Sequence, residues 1–395
     1  MWLRDAQIVL PDRVLERASL RIEGQQITAV VEDVPQPAAR EMAVDARGLI
    51  VIPGIVDLHG DMIEHEIEPR PGARFPLDMA IHELDKRMAA CGVTTAYAAI
   101  SFWGEEADEA LSSGAHAHAL VTAINSLRGS LLVDLFVHAR YEVPTPSVAP
   151  ALFALLEARQ IQLLSLMDHT PGQGQYRDLE RFVAYIAKWR NADPDQIAVE
   201  TRERMLRVQN QPSIWATANE LVSAALEQGV LIASHDDDTP AKIDLMADFR
   251  VTISEFPVTL EAALEARQRG MHVVMGAPNV LRGISHSGNL SALEAIAAGA
   301  VDALASDYSP AALVQAAFAI VRAGLLPLHD AMKLIGQNPA TALNLHDRGC
   351  IAVDKLADIT LVEPGACARV RGTIRRGLPI YWDSVMAQRS AIASA

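Results

Sequence analysis

At 395 residues, half of them hydrophobic and 21% charged, the chain can bury a sizeable core and is no disordered polymer. Its formal net charge of −15 argues against nucleic acid or an anionic membrane as partner, though a few arginines and a cation in a cleft can still favour a small anion. No apolar run of about eighteen residues and no signal-peptide opening occur, and Cys91, Cys350 and Cys367 form no C-x-x-C pair, so a cytoplasmic enzyme without disulfides is the simplest expectation.

Taken in chain order, residues 1–49 read as short strands at 5–10, 18–22 and 27–31, with a turn at Glu23-Gly24. Eight apolar, strand-like segments follow, at 49–58, 94–100, 131–137, 162–167, 230–233, 251–254, 272–275 and 303–306. Helical stretches such as 78–90 and 290–298 fall between most of them, the alternation of parallel βα units. Eight such units over roughly 290 residues fit an α/β architecture, a (β/α)8 TIM-like barrel, whose usual size is about 250. The interval 170–229 is long for one helix and loop and predicts an inserted helical segment. Strand-like segments resume at 349–353 and 357–362, and residues 386–395 read as a loose tail. The expected organisation is a barrel over 50–345 and a small β-sandwich domain built from both chain ends, 1–49 and 346–385.

Chemistry in such barrels sits where strands end at their C-terminal face. The first segment ends His59-Gly60-Asp61, and side chains spaced i, i+2 on a strand project the same way. The third is followed by His138-Ala139-Arg140-Tyr141-Glu142, the fourth by Asp168-His169 and the fifth by His235-Asp236-Asp237-Asp238. The sixth offers Glu255 and the eighth Asp307. Imidazole nitrogen and carboxylate oxygen are the ligands of hydrolytic zinc or manganese sites, with Fe²⁺ a further candidate. His59, Asp61, Glu142, His169, His235 and Asp307 are therefore the expected metal ligands. A lone histidine or aspartate is more often a hydrogen-bonded structural residue; six at one barrel face are harder to dismiss. Asp307 doubles as the candidate general base, and at least one of Asp236, Asp237 and Asp238 is expected to orient an imidazole or cap a helix.

The stretch 276–289 after the seventh segment is rich in glycine, amide, hydroxyl and cationic groups, and reads as a substrate loop. It contains Asn279, Arg282 and His286.

With these residues assembled, the chain resembles the amidohydrolase superfamily, through Pro53-Gly54-Ile55-Val56-Asp57-Leu58-His59 and the closing Asn338-Pro339-Ala340 and Ala357-Asp358-Ile359. Within it, His59-Gly60-Asp61 stands where His-x-His is usual. Leu166-Met167-Asp168-His169-Thr170-Pro171-Gly172-Gln173, Ser234-His235-Asp236-Asp237-Asp238-Thr239-Pro240, Gly276-Ala277-Pro278-Asn279, Arg282-Gly283-Ile284-Ser285-His286-Ser287-Gly288-Asn289 and Ser306-Asp307-Tyr308 accompany it. This narrower pattern is similar to the diphosphatases that act on α-D-ribose 1-methylphosphonate 5-triphosphate in phosphonate catabolism. The resemblance implies a small anionic phosphorylated sugar as substrate and hydrolysis at its α–β linkage, by metal-activated water attack on the α-phosphorus. The products are the 5-phosphate and pyrophosphate. It also implies Arg282 and His286 as phosphate contacts, with Arg140 and Asn279 beside them, and Mg²⁺ accompanying the triphosphate. The superfamily's bridging lysine has no counterpart at the fourth strand, so one ion or two are both open, with Glu142 the bridging candidate. A homodimer is the candidate assembly. The alternative reading is a cyclic amide hydrolase or deaminase on the same scaffold.

Overall fold

Pro53 and Gly54 part the first long apolar segment into two strands that belong to different sheets. Ile50–Pro53 pairs with Trp2–Val9 and Ile359–Glu363, whereas Ile55–Gly60 enters a parallel sheet. The single strand expected over 49–58 is thus corrected to two. Proline has no N–H for a ladder, and a Cβ on Gly54 would lie 2.5 Å from Thr94 Oγ1, so glycine is what lets the chain cross.

The structure, a computed structural model, describes residues 1–38, 40–103, 114–211, 213–284 and 288–392. Among the described residues, eight parallel strands run in chain order round a barrel. They are β1 (Ile55–Gly60), β2 (Val93–Phe102), β3 (Asp134–Glu142) and β4 (Leu163–Met167), then β5 (Leu231–His235), β6 (Ile253–Glu255), β7 (His272–Gly276) and β8 (Ala303–Ala305). At the C-terminal rim β1 and β8 meet: Asp61 N donates to Asp307 O at 2.9 Å and Asp307 N to His59 O at 3.0 Å. Lower down a turn stands between them, Val56 N donating to Ile335 O and Leu304 N to Leu334 O. The barrel is therefore nearly closed, tightest where the chemistry is expected.

Strands covered on both faces should be apolar throughout, and all ten residues of β2 are buried. Val56, Leu58, Leu163, Ala233, Ile253 and Val274 fill the interior. The outward faces, among them Ile100, Val137, Leu164 and Ile232, pack under helices through Leu84, Leu152, Leu221 and Ile320.

Both chain ends join in one nine-stranded mixed sheet among the described residues, with its own core of Leu3, Ile8, Leu20, Ile27, Val51, Ile359, Leu361 and Ile374. The loose tail expected from 386 is corrected in part. Asp383 caps a helix at Ser384–Arg389, and Ser390–Ile392 pairs with Met42–Asp45, which supplies the partner an isolated tail would lack.

The long interval after β4 holds α1 (Leu179–Arg190), α2 (Pro194–Gln209) and α3 (Ser213–Glu227). Helix α3 covers the barrel with Ile214, Ala218, Leu221 and Val222, so α1 and α2 are the expected insertion. Aspartates cap both, Arg181 N donating to Asp178 Oδ1 and Asp195 N to Asp193 Oδ1, each at 3.1 Å. No helix of the described residues is long and apolar enough to cross a membrane.

Candidate active site

Strand β3 runs on to Glu142, which corrects the expected end at 137. On a strand the alternation turns His138, Arg140 and Glu142 to the same face, into the barrel one above another. This is what brings His138 into the centre.

Two groups of metal-competent side chains stand there among the described residues, the ligand atoms of each lying within 4.8 Å of one another. In the first, Glu255 of β6 places Oε1 3.1 Å from Nδ1 of His59 and Oε2 3.6 Å from Nε2 of His138. In the second, Asp236 Oδ2 lies 3.1 Å from His235 Nδ1 and 3.6 Å from His169 Nε2. The groups are neighbours, the His59 and His235 rings being 5.4 Å apart, and Phe256 packs edge-on against both. Asp236, Phe256 and Asp307 all have φ near +55° where the chain leaves β5, β6 and β8. Aspartate tolerates that left-handed turn, whereas Phe256 is strained in it, a cost typical of sites whose geometry is over-determined.

Of the expected ligands, His59, His169 and His235 fall within these groups. Glu142 directs both oxygens at His169, accepting from its backbone N at 2.8 Å and facing its Nδ1 at 2.7 Å. That fixes the ring and leaves Nε2 turned toward Asp236. Asp61 sits on the rim, 3.7 Å from Arg140 Nη1, and the Asp307 carboxylate lies over Gly276. His138, Glu255 and Asp236 are the residues that strand-end reasoning did not select. The i, i+2, i+4 spacing of His138, Arg140 and Glu142 was the available signal. Asp237 and Asp238 hold the frame: buried Asp237 accepts from Ser234 and Ser254 hydroxyls at 2.5 and 2.6 Å, and Asp238 from Gly174 N.

Burial dominates the electrostatics. It keeps His59 well below the ordinary histidine range, with Arg140 adding to the effect, and His138 at about 3, so both are neutral imidazoles with a lone pair to offer. His169 runs the other way: burial opposes its charge, but Glu142 and Asp236 raise it to about 9. Asp307 is raised to about 7 by burial and then by the like charge of Asp61, before any cation is counted.

Whether this set fits a cation can be asked of its unpaired atoms. Both ring nitrogens of His138, Nδ1 of His235, Oδ2 of Asp236 and Oε2 of Glu255 are buried with no hydrogen-bond partner. The 3.1 Å approach of His235 to Asp236 is misaligned for a bond. Each such orphan costs about 1–3 kcal/mol, and native proteins rarely gather them in one place without a ligand. Nitrogen and oxygen donors of this kind suit a divalent metal.

The expected substrate contacts are placed unevenly. Arg140 enters the centre, its Nη2 3.3 Å from His235 Nε2 and its guanidinium mostly buried. The loop expected from 276 is corrected in part, because Ala277–Arg282 is helical; Arg282 is exposed at the end of that helix, donating to Tyr308 OH at 3.3 Å beside Asp307. Asn279, in the same helix, is spent on backbone, donating to Leu290 O and accepting from Ala292 N. His286 lies outside the described residues.

A nearly closed parallel barrel carrying histidine and carboxylate clusters at its strand ends defines a hydrolase built around a divalent-metal site. The chain belongs to the amidohydrolase family, whose model matches residues 87–381. It is 35% identical over 371 residues to the α-D-ribose 1-methylphosphonate 5-triphosphate diphosphatase of Escherichia coli K12, covering 91% of this chain and 94% of that one. Among solved structures it superposes on a Xaa-Pro dipeptidase (TM-score 0.64, 17% identity, 97% and 99% of the two chains). It also superposes on the dihydropyrimidinase of Brevibacillus agri (TM-score 0.62, 15% identity, 96% and 95%). At such identities these two share the fold alone.

Proposed function

We propose that the chain hydrolyses α-D-ribose 1-methylphosphonate 5-triphosphate to the 5-phosphate and pyrophosphate, a step of phosphonate catabolism. The observation that carries this reading is the 35% identity, over nearly the whole of both chains, with an enzyme named for that reaction. The geometry adds support. A buried arginine, Arg140, reaches the centre, and a second, Arg282, stands beside Asp307, where an uncharged cyclic amide would need neither.

His59, His138 and Glu255 would hold one cation, and His169, His235 and Asp236 a second. Zinc suits these donors best, with Mn²⁺ and Fe²⁺ accepting the same set and Mg²⁺ travelling with the triphosphate. When bound, such a metal supplies Lewis acidity, polarising a phosphoryl oxygen and making water a competent nucleophile at neutral pH. Asp307 takes the attacking water's proton; its burial beside Asp61 suits a base working near neutrality. Glu142 holds His169 in the tautomer that presents Nε2. Arg140 offsets charge on the α-phosphate, and Arg282 guides the incoming anion at the rim.

The test is to incubate metal-replete protein with the methylphosphonate sugar triphosphate and, separately, with dihydrouracil and hydantoin, following both by NMR. Pyrophosphate and 5-phosphate from the first alone are expected. Ring opening of a cyclic amide without any triphosphate cleavage would reverse the proposal.

A further inference from the structure

The inserted hairpin of α1 and α2 has no part in closing the barrel, yet the chain secures it over the strand ends. Gly174, at φ +55°, packs so close to Asp236 that a Cβ there would lie 3.2 Å from its carbonyl oxygen, and its N donates to Asp238 Oδ2 at 2.9 Å. Tyr176 follows, its ring 6.0 Å from His169 and 4.8 Å from Phe182 of α1. Met205 of α2 closes on Gly172, its Cε 3.1 Å from where a Cβ would stand. From α1 the Arg181 guanidinium reaches the loop after β7 and lies against Gly288, six residues beyond Arg282.

We propose that this hairpin is a cap whose Arg181 binds the leaving pyrophosphate, the β- and γ-phosphates of the substrate. The inference rests on the functional reading above and names the part of the site that reading leaves open. With the α-phosphorus at the histidine clusters, the rest of the triphosphate must extend outward, past the strand ends and under α1 and α2. In the reaction the water oxygen bonds to the α-phosphorus and its proton passes to Asp307. The bond from that phosphorus to the bridging oxygen breaks, and its electron pair leaves with pyrophosphate. Negative charge therefore grows on the segment that lies under the hairpin. The chain carries a net −15, so that charge must be met by cations placed locally. Guanidinium forks match phosphate oxygens two at a time. Arg181 also lies against Gly288, so one residue can hold the hairpin and the segment after β7 to the same phosphate.

Product inhibition tests this directly, with inorganic pyrophosphate and ribose 5-phosphate as the probes, on wild type, Arg181→Ala and Arg181→Lys. The inhibition constant for pyrophosphate should rise about tenfold or more in the alanine variant, the value of one charge-assisted contact. That for ribose 5-phosphate should stay within about twofold, with metal content and melting temperature as in wild type, and Arg181→Lys should recover only part of the loss. A pyrophosphate constant unchanged in the folded, metal-loaded alanine variant would overturn the cap. Wild type that releases no pyrophosphate from any 5-triphosphate would overturn the functional reading and the cap with it, so the two failures are told apart.

Discussion

Among single residues of the site, Asp307 and His169 are the two whose protonation changes between about pH 7 and 9. Asp307 is held near 7 and His169 near 9, whereas His59 and His138 are already neutral throughout that range. A cation needs His169 Nε2 free, so uptake releases a proton from His169 below about 9. Apparent metal affinity should therefore rise roughly tenfold per pH unit up to about 9, whereas the ionisation of Asp307 near 7 should show in kcat rather than in metal uptake. Proton release on adding Zn²⁺ to metal-free protein in weak buffer measures it; release that does not vary with pH contradicts the assignment. Asp307→Asn should lower kcat on the order of 10²–10⁴-fold while the clusters keep their metal, and a variant with near-normal turnover removes Asp307 as the base. Glu142→Gln should weaken metal binding on the order of 10–100-fold, with activity restored by excess metal, because Glu142 works through His169. Loss that excess metal leaves unrepaired would instead make Glu142 a direct ligand.

At the scale of elements, what could be read in advance depended on how sharply each strand ended. His59, His169, His235 and Asp307 were legible because each closes or follows a short apolar run whose end is unambiguous. His138 was not, because β3 carries polar residues inward along its last turns of alternation, and a run of mixed polarity looks like the loop beyond a strand. Glu255 ends a strand of only three residues, too short to reveal a direction from sequence alone. The split at Gly54 was hidden for the opposite reason, since apolar residues continue unbroken through two sheets. That crossing can be tested. Gly54→Ala sets a methyl group against both branches of Thr94 and should cost about 1–3 kcal/mol of stability, which Gly54→Ala with Thr94→Ala should largely restore. A single variant that melts like wild type would mean the strands part for another reason.

At the scale of the whole molecule, the end sheet is bound to the barrel through charge. Asp134, at the start of β3, takes Arg348, Arg375 and Arg376 at 2.6, 3.2 and 3.0 Å, and buried Asp358 accepts from Arg376 N at 2.7 Å. Burial raises Asp358 to about 6 from 3.8, with the arginines only partly compensating. An acid whose folded pKa is raised contributes stability below its unfolded value, and that contribution is lost as pH rises through the folded one. Asp358→Asn should therefore stabilise the protein at pH 8, by up to the order of 3 kcal/mol from that shift, and by little at pH 4. Thermal melts of both proteins across pH 4–8 check it, and a gap that does not widen with pH contradicts the buried-carboxylate account. The barrel and the end sheet were legible as a whole, from eight apolar segments and the strands on either side of them. The hairpin's position over the mouth was not, because it depends on Gly174 and Arg181 meeting parts of the chain far away in sequence.

The proposed reaction has water attack the α-phosphorus of a sugar triphosphate at the strand ends of this barrel. ³¹P NMR of turnover in ¹⁸O-water reads that step out, because the isotope shifts the signal of the phosphorus it joins. Label in the 5-phosphate, with unlabelled pyrophosphate released beside it, is the predicted result. Label in the pyrophosphate, or in inorganic phosphate released with a sugar diphosphate, would contradict attack at that atom and the assignment of the site that follows from it.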